Sequence, residues 1–246
     1  MLKKLFFGIL CIAALVAAMS FIAPASQKLT IHFENYVGNT LLKLDSAVYK
    51  NELGQEFTVS KFKYYISDIA FTRGYTSAKK PYEFNNYYLI NEEDNASKNI
   101  EVDDLPEGEY LDISFTIGVD SLHNCSGAQS GALDPVNAMF WAWNTGYIFL
   151  KMEGKSKASH SPGNLLEFHI GGYKEPGNCI KRVMLAFDKP LWSVKGKHNY
   201  ITIKADLSEL FKTPTAIDFS KISSVTDFHN ATTIADNYAD MFSLKQ

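Results

Sequence analysis

Alternation of apolar and polar residues with a period of two is the feature of this sequence that most constrains its fold. Leu29, Ile31 and Phe33 alternate with polar residues, and similar runs rich in β-branched and aromatic residues recur along the chain. Such runs lie at 42–44, 47–49, 57–62, 64–66, 69–71, 87–90, 111–117, 147–152, 165–170, 182–187 and 200–205. A period of two places successive side chains on opposite faces of a strand. The sequence therefore predicts an all-β protein built from many short strands.

Turn residues separate these runs, and helical patterns are rare. Residues 51–54 and 106–109 have the composition of hairpin loops. Helical spacing is limited to 206–211, long enough for a turn or two, and to 230–242 near the C-terminus. Short strands at regular spacing are typical of an antiparallel β-sandwich or a partly open barrel. We predict such a fold, with one long ordered loop and a short C-terminal helix.

The first 25 residues have the composition of a secretory signal peptide. Lys3 and Lys4 precede an apolar run over residues 5–18, and Ala23-Pro24-Ala25 fits a cleavage site of the A-x-A type. Because the run is shorter than the roughly 20 residues of a membrane-spanning helix, cleavage is favoured over a membrane anchor. Residues 26–246 would then form a single domain, periplasmic or secreted, that is not inserted into a membrane after cleavage.

The charge and the absence of several motifs exclude other classes of protein. A net charge of −3 argues against a basic surface that binds nucleic acid. The sequence contains no G-x-S-x-G elbow, P-loop, dinucleotide fingerprint, C-x-x-C pair or H-E-x-x-H motif. We therefore expect no nucleic-acid binding, and a hydrolase is disfavoured because it would lack any recognised motif.

One long segment, residues 119–144, departs from the strand pattern. It contains Gly127, Gly131 and several small polar residues, and loops of this length are usually either functional or disordered. Because Trp141 and Trp143 lie near its end, we predict that it is ordered and packed. Two interpretations of these tryptophans stay open: an aromatic corner that holds the loop in place, or oxidisable indoles that lose electrons to a redox partner.

Histidines are the first candidates for metal ligands. The six lie at positions 32, 123, 160, 169, 198 and 229, so a metal site would have to be assembled by the fold. His169 is the most informative, because its predicted strand ends in Gly171 and Gly172, and paired glycines allow a close backbone approach. The alternative role for His169 is that of a hydrogen-bonded structural residue.

Acidic residues of the long loop have two interpretations as well. Asp120 and Asp134, together with loop carbonyl groups, would supply the oxygen ligands that calcium prefers. Aspartates at such positions also cap turns and short helices, and this is the interpretation that we favour.

Two cysteines, Cys125 and Cys179, remain once residues 1–25 are removed. In an exported protein such a pair is expected to form a disulfide, which here would join the long loop to the region after His169. The alternative is two separate free thiols.

Several stretches of the sequence are distinctive as a set. They are YYIS at 64–67, FTIGVDS at 115–121, SGAQSGALDP at 126–135, MFWAWNTGY at 139–147, KMEG at 151–154 and HIGG at 169–172. Together they closely resemble the MbnP-like family of bacterial copper-binding proteins, and the similarity runs from the strand around Phe33 to residues 236–238. The resemblance implies an exported, β-rich protein that binds copper. It also implies a partner, a dihaem peroxidase resembling MauG, which oxidises a tryptophan to kynurenine.

The resemblance assigns candidate roles to individual residues. The tryptophans of the W-x-W motif are Trp141 and Trp143, of which we favour Trp143 as the modified residue, and the histidine of the H-I-G-G motif is His169. The aryl amine of kynurenine would join the imidazole as a copper ligand. Nitrogen ligands of this kind suit copper(II).

This chain departs from the family pattern in its first strand. Members often carry a histidine just before a V-G pair, where this chain has Asn35. His32 lies three residues earlier and would face the opposite side of a strand. His123, in the long loop, would supply a second nitrogen instead.

A second hypothesis needs no metal. In this alternative the protein is a carbohydrate-binding or surface-binding β-sandwich, in which Trp141, Trp143 and Tyr147 form a stacking platform. It requires that these rings be exposed to solvent.

Overall fold

Two β-sheets that pack face to face make up most of the computed structural model. It describes residues 27–74, 80–141, 146–226 and 230–245, so the predicted signal peptide lies outside the described residues. No helix within these ranges is long and apolar enough to cross a membrane.

The strands follow the predicted runs, with bounds set by their pairing. They are β1 (Lys28–Val37), β2 (Thr40–Leu41), β3 (Tyr49–Lys50), β4 (Glu56–Arg73), β5 (Tyr82–Asn91), β6 (Asn99–Asp103), β7 (Gly108–Ile117), β8 (Phe140–Trp141), β9 (Gly146–Tyr147), β10 (Leu150–Lys155), β11 (Leu165–Ile170), β12 (Lys181–Ser193), β13 (His198–Asp206), β14 (Ser224–Val225) and β15 (Phe242–Leu244).

The first sheet has the strand order β15-β13-β1-β2, and β6 also pairs with β1. The second sheet has the order β12-β7-β4-β10-β11-β14, and both β3 and β5 pair with β4. This arrangement confirms the predicted β-sandwich. Its sheets are mixed rather than purely antiparallel, because β1 pairs with β13, and β11 with β14, in parallel.

The core lies between the two sheets, where alternate residues of each strand meet. Leu29, Ile31 and Phe33 of β1 are fully buried, as their alternation predicts. The Phe33 ring makes edge contacts with Tyr64 of β4 and Phe115 of β7, at centroid distances of 6.3 and 6.0 Å. These contacts define the inner face of the second sheet, and the neighbouring residues of each strand point to its outer face.

Several local predictions were wrong. Of the runs at 42–44 and 47–49, only Tyr49 belongs to a strand. A turn that contains Asp45, at a positive φ of 56°, lies between the two runs. The runs at 57–62, 64–66 and 69–71 merge into the single strand β4. Residues 106–109 form no hairpin, since β6 pairs in the first sheet and β7 in the second.

Helical structure is short. Helix α1 covers Ser121–Cys125 within the long loop, and α2 covers Ala231–Tyr238. Helix α2 confirms the predicted C-terminal helix and buries Ile234 and Tyr238 against the core. A 3₁₀ turn at Ala239–Met241 ends it and leads into β15.

Candidate functional site

The long loop packs against the outer face of the second sheet. Tyr65, which follows the inward-facing Tyr64, donates a hydrogen bond from Oη to the carbonyl oxygen of Ala132 at 2.9 Å. Tyr147 Oη donates to the carbonyl oxygen of Leu133 at 2.8 Å, and the two tyrosine rings make an edge contact at 5.9 Å. The prediction of an ordered, packed loop is thus confirmed as far as residue 141.

Trp141 lies in the short hairpin of β8 and β9 and is 6% exposed. Its benzene edge contacts the backbone of Gly171, where a Cβ atom would come within 2.7 Å of Trp141 Cζ3. Gly171 follows His169 by two residues, so the absence of a side chain there allows the indole to lie beside the end of the His169 strand. The other candidate for modification, Trp143, falls outside the described residues.

The predicted stacking platform is wrong for the two of its rings that the structure places. Trp141 is 6% exposed and Tyr147 is 1% exposed. Trp141 lies against the backbone of Gly171, and the Tyr147 hydroxyl donates to the carbonyl oxygen of Leu133 in the long loop. Neither ring offers a face on which a sugar could stack.

His169 lies on the outer face of the second sheet among charged residues of three strands. It is opposite Lys151 of β10, which in turn is opposite Lys63 of β4. Its Nε2 atom is 3.0 Å from Glu153 Oε1. The other oxygen of Glu153 accepts a hydrogen bond from Lys61 Nζ at 2.9 Å. The imidazole is thus held by a carboxylate that is itself held by an ammonium group.

The electrostatics keep this imidazole neutral. Burial lowers the pKa of His169, and the positive charge of Lys151 lowers it further, which outweighs the opposing effect of Glu153. Burial would raise the pKa of Glu153, but hydrogen bonds from Lys61 and His169 outweigh it and the pKa is lowered. A neutral imidazole beside an ionised carboxylate donates from Nε2 and carries its lone pair on Nδ1.

His123 belongs to a different network at the start of α1. The Asp120 carboxylate accepts from the backbone N–H of His123 at 3.1 Å and lies 2.7 Å from its Nδ1. Tyr87 Oη donates to the same carboxylate and is 2.9 Å from His123 Nδ1. Partial burial alone would raise the pKa of Asp120. Hydrogen bonds from Tyr87 and His123 outweigh this effect, so the net pKa of Asp120 is lowered.

The structure does not bring His123 and His169 together. Tyr87, which holds His123, pairs with Ser67 of β4, whereas His169 is in register with Lys63 through Lys151. The backbones of Tyr87 and His169 are thus three strand spacings and four residues apart, or about 20 Å. In the structure His123 is held by Asp120 and Tyr87 instead of contacting His169.

His32 is separate from both. It points outward from the first sheet, with Nδ1 2.8 Å from Asn99 Oδ1 and Nε2 3.9 Å from Glu34 Oε1. The part of the chain that the structure describes contains no cluster of three or more His, Cys, Asp or Glu suited to a metal ion. The three histidines proposed from the sequence therefore do not form one site.

Both aspartates of the long loop act as caps, which confirms the interpretation favoured over calcium binding. Asp120 caps α1 through the backbone N–H of His123. Asp134 Oδ1 accepts from the backbone N–H of Val136 at 2.9 Å and caps a 3₁₀ turn at Pro135–Asn137.

Asn35 has a structural role that sequence reasoning missed. It is 2% exposed, accepts from Tyr64 Oη at 2.9 Å and donates to Glu92 Oε2 at 2.8 Å. The sequence pattern already indicated this burial, because Asn35 follows Phe33 by two residues in the alternation of buried positions along β1. A histidine here would lie between the two sheets and face the inner side of the second sheet, whereas His169 lies on the outer face of that sheet.

The predicted disulfide is absent, and both cysteines are free thiols in the structure. Cys125 is exposed, with its Sγ 3.3 Å from Tyr173 Oη. Cys179 is fully buried, and its backbone N–H donates to the carbonyl oxygen of Gly172 at 2.8 Å. One thiol faces solvent and the tyrosine hydroxyl, while the other is enclosed in the core.

Comparisons with known proteins cover most of the chain. The family model described as MbnP matches residues 26–230. Among solved structures, the chain is similar to MbnP from Methylosinus trichosporium, with a TM-score of 0.53 and 16% identity over 79% of this chain and 80% of that chain. At this identity the structural likeness shows a shared fold. Comparison with curated proteins found no match.

Proposed function

The chain belongs to the MbnP family, and on this premise we propose that it is an exported copper-binding protein with His169 as its histidine ligand. Family membership associates the chain with copper binding in general. In this proposal the protein acts in the periplasm or outside the cell, and it is not an enzyme. It is instead the substrate of a dihaem peroxidase resembling MauG, which oxidises one tryptophan to kynurenine.

The observation that carries the proposal is the contact between Trp141 and Gly171. It puts an oxidisable indole beside the end of the strand that carries a neutral imidazole, on the same outer face of the sheet. Trp141 is therefore the better supported target among the described residues, and Trp143 stays the prediction made from the sequence.

The oxidation has a defined balance of atoms. Two molecules of hydrogen peroxide would deliver two oxygen atoms to the C2–C3 bond of the indole, cleave it and leave as water. Hydrolysis of the resulting N-formyl group releases formate and leaves a primary aryl amine on the benzene ring. The partner peroxidase would catalyse this oxidation by hydrogen peroxide. This chain contributes only the indole and its position.

The residues around His169 fit a copper ligand set in part. A neutral imidazole and the Glu153 carboxylate are present, and copper(II) favours such nitrogen and oxygen donors. Three lysines in the same region, Lys61, Lys63 and Lys151, oppose the binding of a cation. We therefore expect weak copper binding by the unmodified chain and stronger binding once oxidation has supplied the aryl amine.

Intact-mass measurement of protein purified from its native host tests the proposal. We expect one tryptophan to have lost one carbon atom and gained one oxygen atom, with copper present in the purified protein. Peptide mapping then distinguishes Trp141 from Trp143, and Trp192→Phe serves as the matched control variant. Two unmodified indoles in protein that takes up no copper would overturn the proposal.

The histidine ligand has its own test. Copper(II) added to the modified protein should give an electron paramagnetic resonance spectrum that includes coupling to imidazole nitrogen, and this imidazole coupling should be lost in His169→Ala. The exposed His160 offers the control, because its replacement by alanine should leave the spectrum unchanged. A spectrum that does not depend on His169 would show that copper binds elsewhere.

A further inference from the structure

A second surface feature is unrelated to the candidate copper site. An open groove with a volume of about 480 Å³ lies where the edge strand β12 of the second sheet approaches β13 and β15 of the first. Two large aromatic rings that line it are exposed, Trp192 at 58% and Tyr200 at 69%. Solvent exposure of two such rings at one groove is typical of a binding surface.

The Tyr200 ring is held in position before any ligand arrives. It stacks on the imidazole of His198 with a centroid distance of 4.3 Å and an interplanar angle of 24°. His198 Nδ1 lies 3.1 Å from Tyr200 Oη, and its Nε2 lies 2.7 Å from Thr30 Oγ1, which donates to Glu101. This chain of hydrogen bonds fixes the ring plane, so that little conformational entropy is lost on binding.

Cationic side chains line the same groove. Lys189 and Lys197 form no ion pair with any residue in the described ranges, whereas Lys245 is paired with Glu34 at 2.6 Å. The whole chain has a net charge of −3, so these two lysines are a local excess of positive charge. Polar groups that could bind hydroxyls lie beside them, on Asp188, Asn199 and Thr202.

The backbone beside the groove is unsuited to an added peptide strand. The pairing of β12 with β7 shifts between Ala186 and Leu191, and the intervening segment contains Pro190, which has no N–H to donate. The carbonyl oxygen of Trp192 already accepts a hydrogen bond from Asn199 Nδ2 at 3.3 Å. An interrupted edge of this kind prevents β-strand addition, which leaves the rings and the lysines as the recognition elements.

We propose that this groove binds an acidic polysaccharide, a chain of sugar rings that carry carboxylate groups. The C–H faces of pyranose rings pack on the electron-rich faces of aromatic rings, for which Trp192 and Tyr200 are available. The carboxylates would meet Lys189 and Lys197. The site is separate from His169 and does not depend on copper.

Calorimetric titration with polygalacturonate, and with dextran as a neutral polymer, tests this proposal. Polygalacturonate should bind and dextran should not. Trp192→Ala and Tyr200→Ala should each weaken binding about tenfold. A double variant, Lys189→Ala with Lys197→Ala, should weaken binding and reduce its dependence on salt. Met184→Ala is the control, since Met184 is 68% exposed on the same strand but does not line the groove.

Several outcomes would overturn the proposal. These are no binding of polygalacturonate by the wild-type protein, equal binding of dextran, or affinity that is unchanged in Trp192→Ala. Binding of polyglutamate in place of polygalacturonate, with the same dependence on Trp192, would identify an acidic peptide as the ligand instead. Trp192→Phe keeps an aromatic face and should retain most of the affinity, which separates stacking from a folding defect.

Discussion

The benzene edge of Trp141 lies against the backbone of Gly171, two residues beyond His169. A Cβ atom at position 171 would come within 2.7 Å of Trp141 Cζ3 and within 2.4 Å of the carbonyl oxygen of Tyr147. The second of these atoms belongs to the backbone and cannot rotate away. This contact links the end of the long loop to the strand that carries the candidate copper ligand.

Gly171→Ala should therefore displace the indole and destabilise the fold. Forcing an atom into a filled site costs about 1–3 kcal/mol, measurable as a lower midpoint of urea unfolding. The near-ultraviolet circular dichroism of the tryptophans should change as well. Gly54→Ala is the control, because Gly54 has a positive φ of 73° but a Cβ atom added there would meet nothing within 4 Å. That variant should lose about 1 kcal/mol from backbone strain alone and keep the tryptophan signal.

His169 should make stability depend on pH in a defined window. Burial and the charge of Lys151 lower its pKa below the ordinary value of 6.5, so below that pH the unfolded chain binds protons more readily than the folded one. Stability should then fall as the pH falls below about 6.5. His169→Asn should remove this fall in the free energy of unfolding below pH 6.5. The effect of Glu153 is separable, because its contribution is lost only as the pH falls below the ordinary value of 4.5.

The strands could be predicted because one face of each is buried. The alternation of Leu29, Ile31 and Phe33 reports that burial directly, and β11 and β13 alternate in the same way. Parts of β4 and β7 are instead buried on both faces. The parallel pairing of β1 with β13 could not be predicted, because these strands are far apart in the chain and local periodicity does not record which strands become neighbours.

In the candidate site, too, the local features could be predicted from the sequence and the spatial neighbours could not. The glycine after His169 correctly predicted a close approach, because that requirement is local to the sequence. Whether His123 would lie beside His169 could not be predicted, because it depends on which strands and faces the fold brings together. Asn35 was interpreted as a missing ligand, although its alternation with Phe33 already placed it in the core.

Tyr64→Phe should lower the free energy of unfolding, because it leaves a polar group in the core without its hydrogen-bond donor. Tyr64 and Asn35 are both buried, and the tyrosine hydroxyl donates to Asn35 Oδ1 at 2.9 Å. Its removal leaves the amide oxygen without that donor, which costs about 1–3 kcal/mol. Tyr200→Phe, at an exposed ring, should change the free energy of unfolding by less than about 0.5 kcal/mol. If the two variants unfold at the same urea concentration, the hydrogen bond contributes nothing to stability.

Thiol labelling should distinguish the two cysteines of the form that lacks residues 1–25. Cys125 is exposed and should react with a disulfide reagent in the native state. Burial raises the pKa of the Cys179 thiol to about 12, so Cys179 should react only after unfolding. Cys125→Ser should abolish the native-state reaction, and Cys179→Ser should preserve it. The disulfide predicted from the sequence would instead leave both sulfurs unreactive until a reductant is added.

Asp120→Ala should destabilise the start of the long loop through the loss of a cap. The carboxylate accepts hydrogen bonds from the backbone of His123 and from Tyr87, and the loss of an N-cap costs about 0.5–2 kcal/mol. Asp134→Ala is the matched control, since that residue caps only a short 3₁₀ turn with Val136 and should cost less. Because both carboxylates have capping roles, added calcium should not raise the thermal midpoint of the wild-type protein. A calcium-dependent rise that disappears in Asp120→Ala would instead assign the carboxylate to a cation, at the expense of its bond to Tyr87.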